Sequence, residues 1–212
     1  MIRVLVADDH AVVRRGLIQI LEEGDDIQVR GEAGTAREVI QALREHDYDV
    51  LVLDVAMPEG GGLEVLEYLN DGGDEINVLV LSVYPEKQYA RRALKLGAKG
   101  YLTKDSAPQE LLMAVKKVAR GELYLTQALA EELAASLRSN HRLAPHQKLS
   151  DREYQVMTMI AEGKSISQIA EILALSVKTV STYRRRMLDK LGLETTADII
   201  RYAIEHGIGK LP

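Results

Sequence analysis

Five side chains in the first half of the chain have the types and placement to handle a phosphoryl group together. Asp8 and Asp9 directly follow the apolar run Ile2–Ala7, and Asp54 stands at the end of the run that begins at Val50. Ser82 lies at the end of a third run, and Lys104 lies just beyond Lys99–Leu102. Brought to one crevice, three carboxylates repel one another unless a cation sits between them. Oxygen ligands without His or Cys favour Mg2+. A lysine and a hydroxyl beside such a cluster offer a cation and a donor to the equatorial oxygens of an incoming phosphoryl group. An Asp oxygen near the ion can itself be the nucleophile that accepts the group.

The elements that must position these groups follow from the apolar pattern. Ile2–Ala7, Val50–Val55 and Val78–Val83 are nearly continuous apolar runs, as strands buried on both faces require. Ile27–Ala33 and Lys99–Leu102 are weaker and suit strands nearer an edge. Val13, Leu17, Ile20 and Leu21 form one stripe of an amphipathic helix. Thr35-Ala36-Arg37-Glu38 and Ser106-Ala107-Pro108-Gln109 each match a capping box. Five strand–helix units in residues 1–120 predict an α/β fold, a doubly wound five-stranded parallel sheet with its site at the carboxyl ends of the strands. Asp25, Asp26 and Asp105 read as turn or cap residues, and His10 as a loop residue beside the acidic pair. Gly60-Gly61-Gly62 lacks the Lys-Ser/Thr ending of a phosphate-binding loop and reads as a turn opening a helix. Met57-Pro58 fixes the turn after Asp54.

Composition narrows the classes. With 212 residues the chain holds one large domain or two small ones. It has no Cys, which excludes disulfide frameworks, thiolate zinc sites and Cys nucleophiles. All its aromatic residues are Tyr, which argues against an aromatic platform for single-stranded nucleic acid. Charge arrives too early for a secretory leader, and no apolar stretch is long enough for a membrane span, so a cytoplasmic chain without a membrane partner is expected. The net charge of −5 divides unevenly: residues 1–120 carry −6 and the rest +1. Within 176–190, Lys178, Arg184, Arg185, Arg186 and Lys190 face only Asp189. An acidic half joined to one concentrated basic helix suggests two jobs.

In the second half the expected boundaries are 1–120, a linker over 121–148, and 149–212. Gly121 ends the fifth helix, and Thr126 can cap another in which Leu129, Leu133 and Leu137 recur. Residues 139–148 read as a flexible tether. Ser150 through Glu153 forms a capping box whose helix runs through Val156, Met159 and Ile160 to Gly163. Ser165 through Gln168 forms a second, with Ile169, Ile172 and Leu173 expected on the buried face. After a short turn Ser176 caps a third helix with Val177, Val180, Met187, Leu188 and Leu191 expected inward. This is an all-α helix-turn-helix arrangement. The face opposite Val180 presents Lys178, Ser181, Thr182, Arg185, Arg186 and Lys190, a mix of bases and small hydroxyls suited to a major groove. A last helix over Thr195–His206 carries Ile199, Ile200, Ala203 and Ile204.

Val6-Ala7-Asp8-Asp9-His10, Leu53-Asp54-Val55-Ala56-Met57-Pro58, Leu81-Ser82 and Lys99-Gly100-Tyr101-Leu102-Thr103-Lys104 together resemble the receiver domain of bacterial two-component response regulators. Leu149-Ser150-Asp151-Arg152-Glu153, Ile169-Ala170-Glu171, Leu175 through Val180 and Lys190-Leu191-Gly192 resemble the LuxR-type DNA-binding domain. The whole chain is similar to the NarL/FixJ family. That resemblance implies a flavodoxin-like receiver in which Asp54 is the phosphoacceptor for a sensor histidine kinase. Asp9 would ligate Mg2+ directly, Asp8 through water, and the backbone carbonyl of Ala56 would be a further ligand. Lys104 and Ser82 would hold the phosphoryl group, and Tyr101 would follow Ser82 inward as a switch. Ser181, Thr182 and Arg185 would reach bases of a double-stranded operator, while Lys178, Thr179, Tyr183 and Lys190 hold its backbone and Arg186 adds to the basic face. The same resemblance implies a transcription regulator rather than an enzyme, acting as a homodimer when phosphorylated, with RNA polymerase as a further partner.

The chain departs from the family pattern at Asp105, where many receivers have Pro, and at Tyr183, where many members have His. Ala56 cannot orient a hydrolytic water, and Val83 and Tyr84 are bulky beside Ser82, which predicts slow loss of the phosphoryl group. A phosphatase of the haloacid-dehalogenase type is disfavoured because it needs a second Asp where Ala56 stands. A receiver serving only as a docking module is the other alternative, and the intact acidic cluster argues against it.

Overall fold

Strands of Val, Leu and Ile closed by an acid or a hydroxyl form the centre of the first unit. The computed structural model of the chain describes residues 1–55, 57, 61–72, 76–83, 86–127, 129–131, 145–173 and 175–208. It divides into Met1–Arg138 and Ser139–Pro212. In the first unit β1 (Ile2–Ala7), β2 (Ile27–Ala33), β3 (Val50–Asp54), β4 (Asn77–Ser82) and β5 (Gly100–Thr103) pair in parallel in the order β2-β1-β3-β4-β5. Between them run α1 (Ala11–Glu22), α2 (Ala36–Glu45), α3 (Gly61–Asn70) and α4 (Glu86–Lys95), and α5 (Ala107–Ala119) follows β5.

Alternate residues of the strands supply the two faces. Val4, Val6, Val50, Val52, Leu79 and Leu81 pack with Leu17 and Leu21 of α1 and Leu111, Val115 and Val118 of α5. Leu5, Leu51, Leu53 and Val80 serve the opposite face and are equally buried. The strand order reverses between β1 and β3. Their carboxyl ends, bearing Asp8-Asp9 and Asp54, therefore flank the crevice where ligands of doubly wound sheets bind.

The expected strands and helices of residues 1–120 stand, with local corrections. Thr35 caps α2 by accepting from the Glu38 amide, but the Glu38 carboxylate reaches back to the Gly34 amide, one residue beyond a capping box. Ser106 does not cap α5: its backbone is already helical, and its hydroxyl donates to the Thr103 carbonyl instead. A box requires an extended cap residue, and Ser106 is not extended. No cis peptide occurs among the described residues.

Gly61, with φ of 73°, makes the turn into α3, as the glycine run suggested, and Gly60 lies outside the described residues. Gly62 then presses against the end of β3. A β-carbon there would overlap the Asp54 carbonyl oxygen and stand 2.9 Å from Val55 Cα, so only glycine fits. After α5, the Tyr124 amide donates to the Lys99 carbonyl at 2.8 Å and its hydroxyl bonds Glu110. The Thr126 hydroxyl accepts from the Leu129 amide, and Leu129 is buried. Leu133 and Leu137 lie outside the described residues.

The second unit contains α6 (Asp151–Ala161), α7 (Ile166–Ile172), α8 (Val177–Leu191) and α9 (Thr196–Glu205). Ser150 and Ser165 form the expected boxes, Ser176 caps α8, and Thr195 with Asp198 forms a further box at α9. Val156, Met157, Ile160, Ile169, Val180, Met187, Ile199 and Ala203 make the core. Ile172 and Val177, expected inward, are half exposed. Four short helices enclose too little volume to cover every apolar side chain at a turn. The tether prediction fails over Pro145–Lys148, which forms a 3-10 turn with His146 Nδ1 3.0 Å from the Tyr202 hydroxyl. His206 stacks on Tyr202 at 4.0 Å between ring centres. His141 and the rest of 139–144 lie outside the described residues. Among the described residues no helix is long and apolar enough to cross a membrane.

Candidate functional site

At the crevice, Asp8 and Asp54 are buried and Lys104 is 11% exposed. The Lys104 ammonium lies 2.6 Å from Asp8 Oδ2 and 2.7 Å from Asp54 Oδ2, bridging the two carboxylates. Burial alone would push the Lys104 pKa down. The charges of Asp54 and Asp8 and the hydrogen bonds to them outweigh burial and hold it above the ordinary lysine value. Parallel pairing places Ser82 on β4 beside Thr103, and the Lys104 amide donates to the Ser82 carbonyl at 2.8 Å. Ser82 and Tyr101 are both fully buried. Ala56 and Tyr84 lie outside the described residues, while Val83 is half exposed.

The donor set fits a hard divalent cation. Carboxylate oxygens of Asp8, Asp9 and Asp54, with a ring nitrogen of His10, all lie within 4.8 Å of one another. Asp8 Oδ2 and Asp9 Oδ1 are buried oxygens, the first facing the Lys104 ammonium at 2.6 Å and the second the His10 ring nitrogen at 2.7 Å. Such oxygens are costly unless a charge faces them.

Three contributors were not evident from sequence. His10, read as a bystander, places Nδ1 2.7 Å from Asp9 Oδ1, and its amide donates to Asp8 Oδ1 at 2.9 Å. Gly62 sets the Asp54 main chain, as described above. Arg14, 18% exposed, donates to the Asp8 carbonyl at 2.7 Å and to Glu32 at 2.8 Å, tying the acidic turn to α1 and β2. A sequence signal existed for Arg14. A base so near a helix N-terminus opposes the helix dipole unless an acceptor faces it. Arg14→Met is expected to weaken divalent-cation binding about tenfold by loosening that turn. Titration calorimetry checks this, and an unchanged Kd would show that the turn holds without Arg14.

In the second unit α8 presents Lys178, Ser181, Thr182, Arg185, Arg186 and Lys190 to solvent. The Thr182 hydroxyl donates to the Lys178 carbonyl, and Thr179 is engaged with Ser176 at the cap. Tyr183 is half-buried. Arg184 departs from the basic face, donating to Thr196 Oγ1 at 2.9 Å and fixing α8 to the start of α9. Lys190 lies on the exposed face but is paired with buried Glu153 of α6 at 2.7 Å. On α9, Ile199 and Ala203 are buried while Ile204 is half exposed.

Residues 4–116 match the response regulator receiver domain, and residues 147–203 match the bacterial regulatory proteins of the luxR family. Response regulator UvrY of Escherichia coli is 36% identical over 98% of this chain and 96% of its own length. Response regulator GacA of Pseudomonas aeruginosa is 36% identical over 98% of each chain. The RcsB response regulator of Salmonella typhimurium superposes with a TM-score of 0.69 at 26% identity, over 96% of this chain and 97% of that one. RcsB bound to a promoter in the presence of the phosphomimetic BeF3− gives 0.67 at 28% identity, over 95% and 97%. With a receiver domain followed by a LuxR-type DNA-binding domain, the chain belongs to the NarL/FixJ family of two-component response regulators, regulators of transcription that bind DNA.

Proposed function

We propose that Asp54 is the phosphoacceptor through which a sensor histidine kinase controls operator binding by this chain. The observation that carries the reading is the Lys104 ammonium bridging the buried carboxylates of Asp8 and Asp54. In the transfer, an Asp54 oxygen forms the new bond to phosphorus as the kinase's N–P bond breaks, and the electron pair returns to the imidazole. Lys104 and the Ser82 hydroxyl then neutralise and hydrogen-bond the added oxygens. Asp9, Asp54, the Ala56 carbonyl and, through water, Asp8 are the residues that would hold Mg2+, which supplies charge neutralisation between acceptor and donor. Ser82 drawn toward the phosphoryl group, with Tyr101 following, biases the β4–β5 region between two arrangements. We assign residues 1–120 to this switch, 121–148 to the connection and 149–212 to DNA binding as a homodimer, with RNA polymerase downstream. The chain acts in the cytoplasm, where such kinases present their phosphohistidine.

In α8, Ser181, Thr182 and Arg185 are assigned to bases, and Lys178, Thr179, Tyr183, Arg186 and Lys190 to phosphates. Promoter DNA binding, followed by anisotropy with and without acetyl phosphate, tests the reading: phosphorylation should tighten specific binding. Arg185→Ala should cost about 1–3 kcal/mol and relax preference at one base position. Lys178→Ala should weaken all sequences alike and lower the salt slope by about one. An Arg185→Ala protein with unaltered sequence preference would remove that residue from base recognition.

A further inference from the structure

The turn after β1 sets two different donor atoms side by side. His10 Nδ1 lies 2.7 Å from Asp9 Oδ1, a buried oxygen, and 3.6 Å from Asp8 Oδ1. In an octahedral site with bonds of about 2.1 Å, neighbouring ligand atoms stand about 3 Å apart and opposite ones about 4.2 Å. The spacing of the ring nitrogen and the Asp9 carboxylate oxygen is close to that of neighbouring ligands, and the donor atoms of all four residues lie within 4.8 Å of one another. The ring is also accessible, with 68% of the side chain exposed, so it can turn onto an ion without disturbing the core. Its amide anchors the turn by donating to Asp8 Oδ1, which fixes the base of the side chain beside the carboxylates.

We propose that His10 is a direct nitrogen ligand of the receiver's cation and tunes the site toward Mn2+ over Mg2+. Mg2+ takes oxygen ligands, whereas an imidazole raises affinity for first-row transition ions. A site of three carboxylates alone treats the two ions as hard cations of similar demand; an added imidazole separates them. The proposal rests on the acidic cluster being the cation site, and it adds a residue that the oxygen-only ligand set omits.

The test uses the full chain with Mn2+ and Mg2+ as probes. Pulsed electron paramagnetic resonance of the Mn2+-loaded protein should show coupling to one 14N nucleus, absent in His10→Ala. Competition titrations should show the Mn2+/Mg2+ affinity ratio falling about tenfold in His10→Ala, with Mg2+ affinity little changed. His10→Gln, which keeps a polar side chain without the imidazole, should behave like His10→Ala. Mn2+ bound at the carboxylates without 14N coupling, or an affinity ratio unchanged in both variants, overturns the role of His10 and leaves the cation site standing. Mn2+ affinity unaltered by Asp9→Asn overturns both. Circular dichroism of each variant confirms the fold, and the backbone donation from residue 10 to Asp8 survives either substitution.

Discussion

Asp54→Asn is expected to take up no phosphoryl group from acetyl phosphate under conditions where the wild-type chain gains one by intact mass. The amide matches the carboxylate in size but has no anionic oxygen to attack phosphorus. It also leaves Lys104 with Asp8 alone among its two carboxylate partners. Removing one of three clustered carboxylates relieves repulsion, so the variant should melt no lower than wild type. That separates lost chemistry from lost fold. DNA binding should fall to the unphosphorylated level whether or not the donor is present, because α8 is untouched. Phosphorylation of the variant to the wild-type extent would place the acceptor elsewhere. A wild-type chain that takes up no phosphoryl group from acetyl phosphate or a kinase would leave the receiver as a docking module.

The candidate site was legible because strand ends carry their own punctuation. Val50 to Leu53 are buried on both faces, and the run stops at an acid that must face the crevice. The same logic located Asp8, Ser82 and Lys104 without knowledge of strand order. Legibility ended where an outcome depended on backbone angles or on a partner distant in sequence. Ser106-Ala107-Pro108-Gln109 has the letters of a capping box, but the box forms only from an extended cap residue, and Ser106 is helical. His10 enters the donor set only through the shape of the turn after Asp9, which composition does not specify. Ile172 and Val177 fit a helical period, yet Ile172 ends α7 and Val177 begins α8, and on a small core a helix end is left half exposed. Pro145–Lys148 has tether composition, but His146 finds Tyr202 fifty-six residues away.

Glu153 and Lys190 are the sharpest case of a contact hidden by sequence distance, and they carry the second large effect. Glu153 is the partner residue of the Ser150 capping box, and the same carboxylate oxygen takes the Lys190 ammonium from α8 at 2.7 Å. Its side chain is only 3% exposed, whereas that of Lys190 is 43% exposed. Burial pushes the Glu153 pKa up, but the Lys190 ammonium and the Ser150 amide outweigh it and hold the group below the ordinary glutamate value. Lys190→Met leaves the carboxylate, among the described residues, with the Ser150 cap as its remaining support. Breaking a fully buried pair costs about 3–5 kcal/mol; water around the exposed ammonium screens this one, so about 2 kcal/mol is expected. In wild type the depressed pKa contributes stability present above the unfolded value of about 4.3 and lost as pH falls through the lower folded value. In Lys190→Met burial is opposed only at Ser150, the folded pKa rises, and acid relieves the variant. The gap between the two proteins should therefore be widest near neutrality and narrow as the pH enters the carboxylate range. Amide exchange of the α8 core in the full chain reads it at both pH values, free of the receiver's own unfolding. Glu153→Gln combined with Lys190→Met should recover most of the loss. The same variant also decides what Lys190 does on DNA. A salt slope reduced by about one marks a phosphate contact. An unchanged slope with weaker binding marks a lysine whose task is to hold α8 against α6. Equal stability of Lys190→Met and wild type at neutral pH would remove the ion pair from the architecture of this unit.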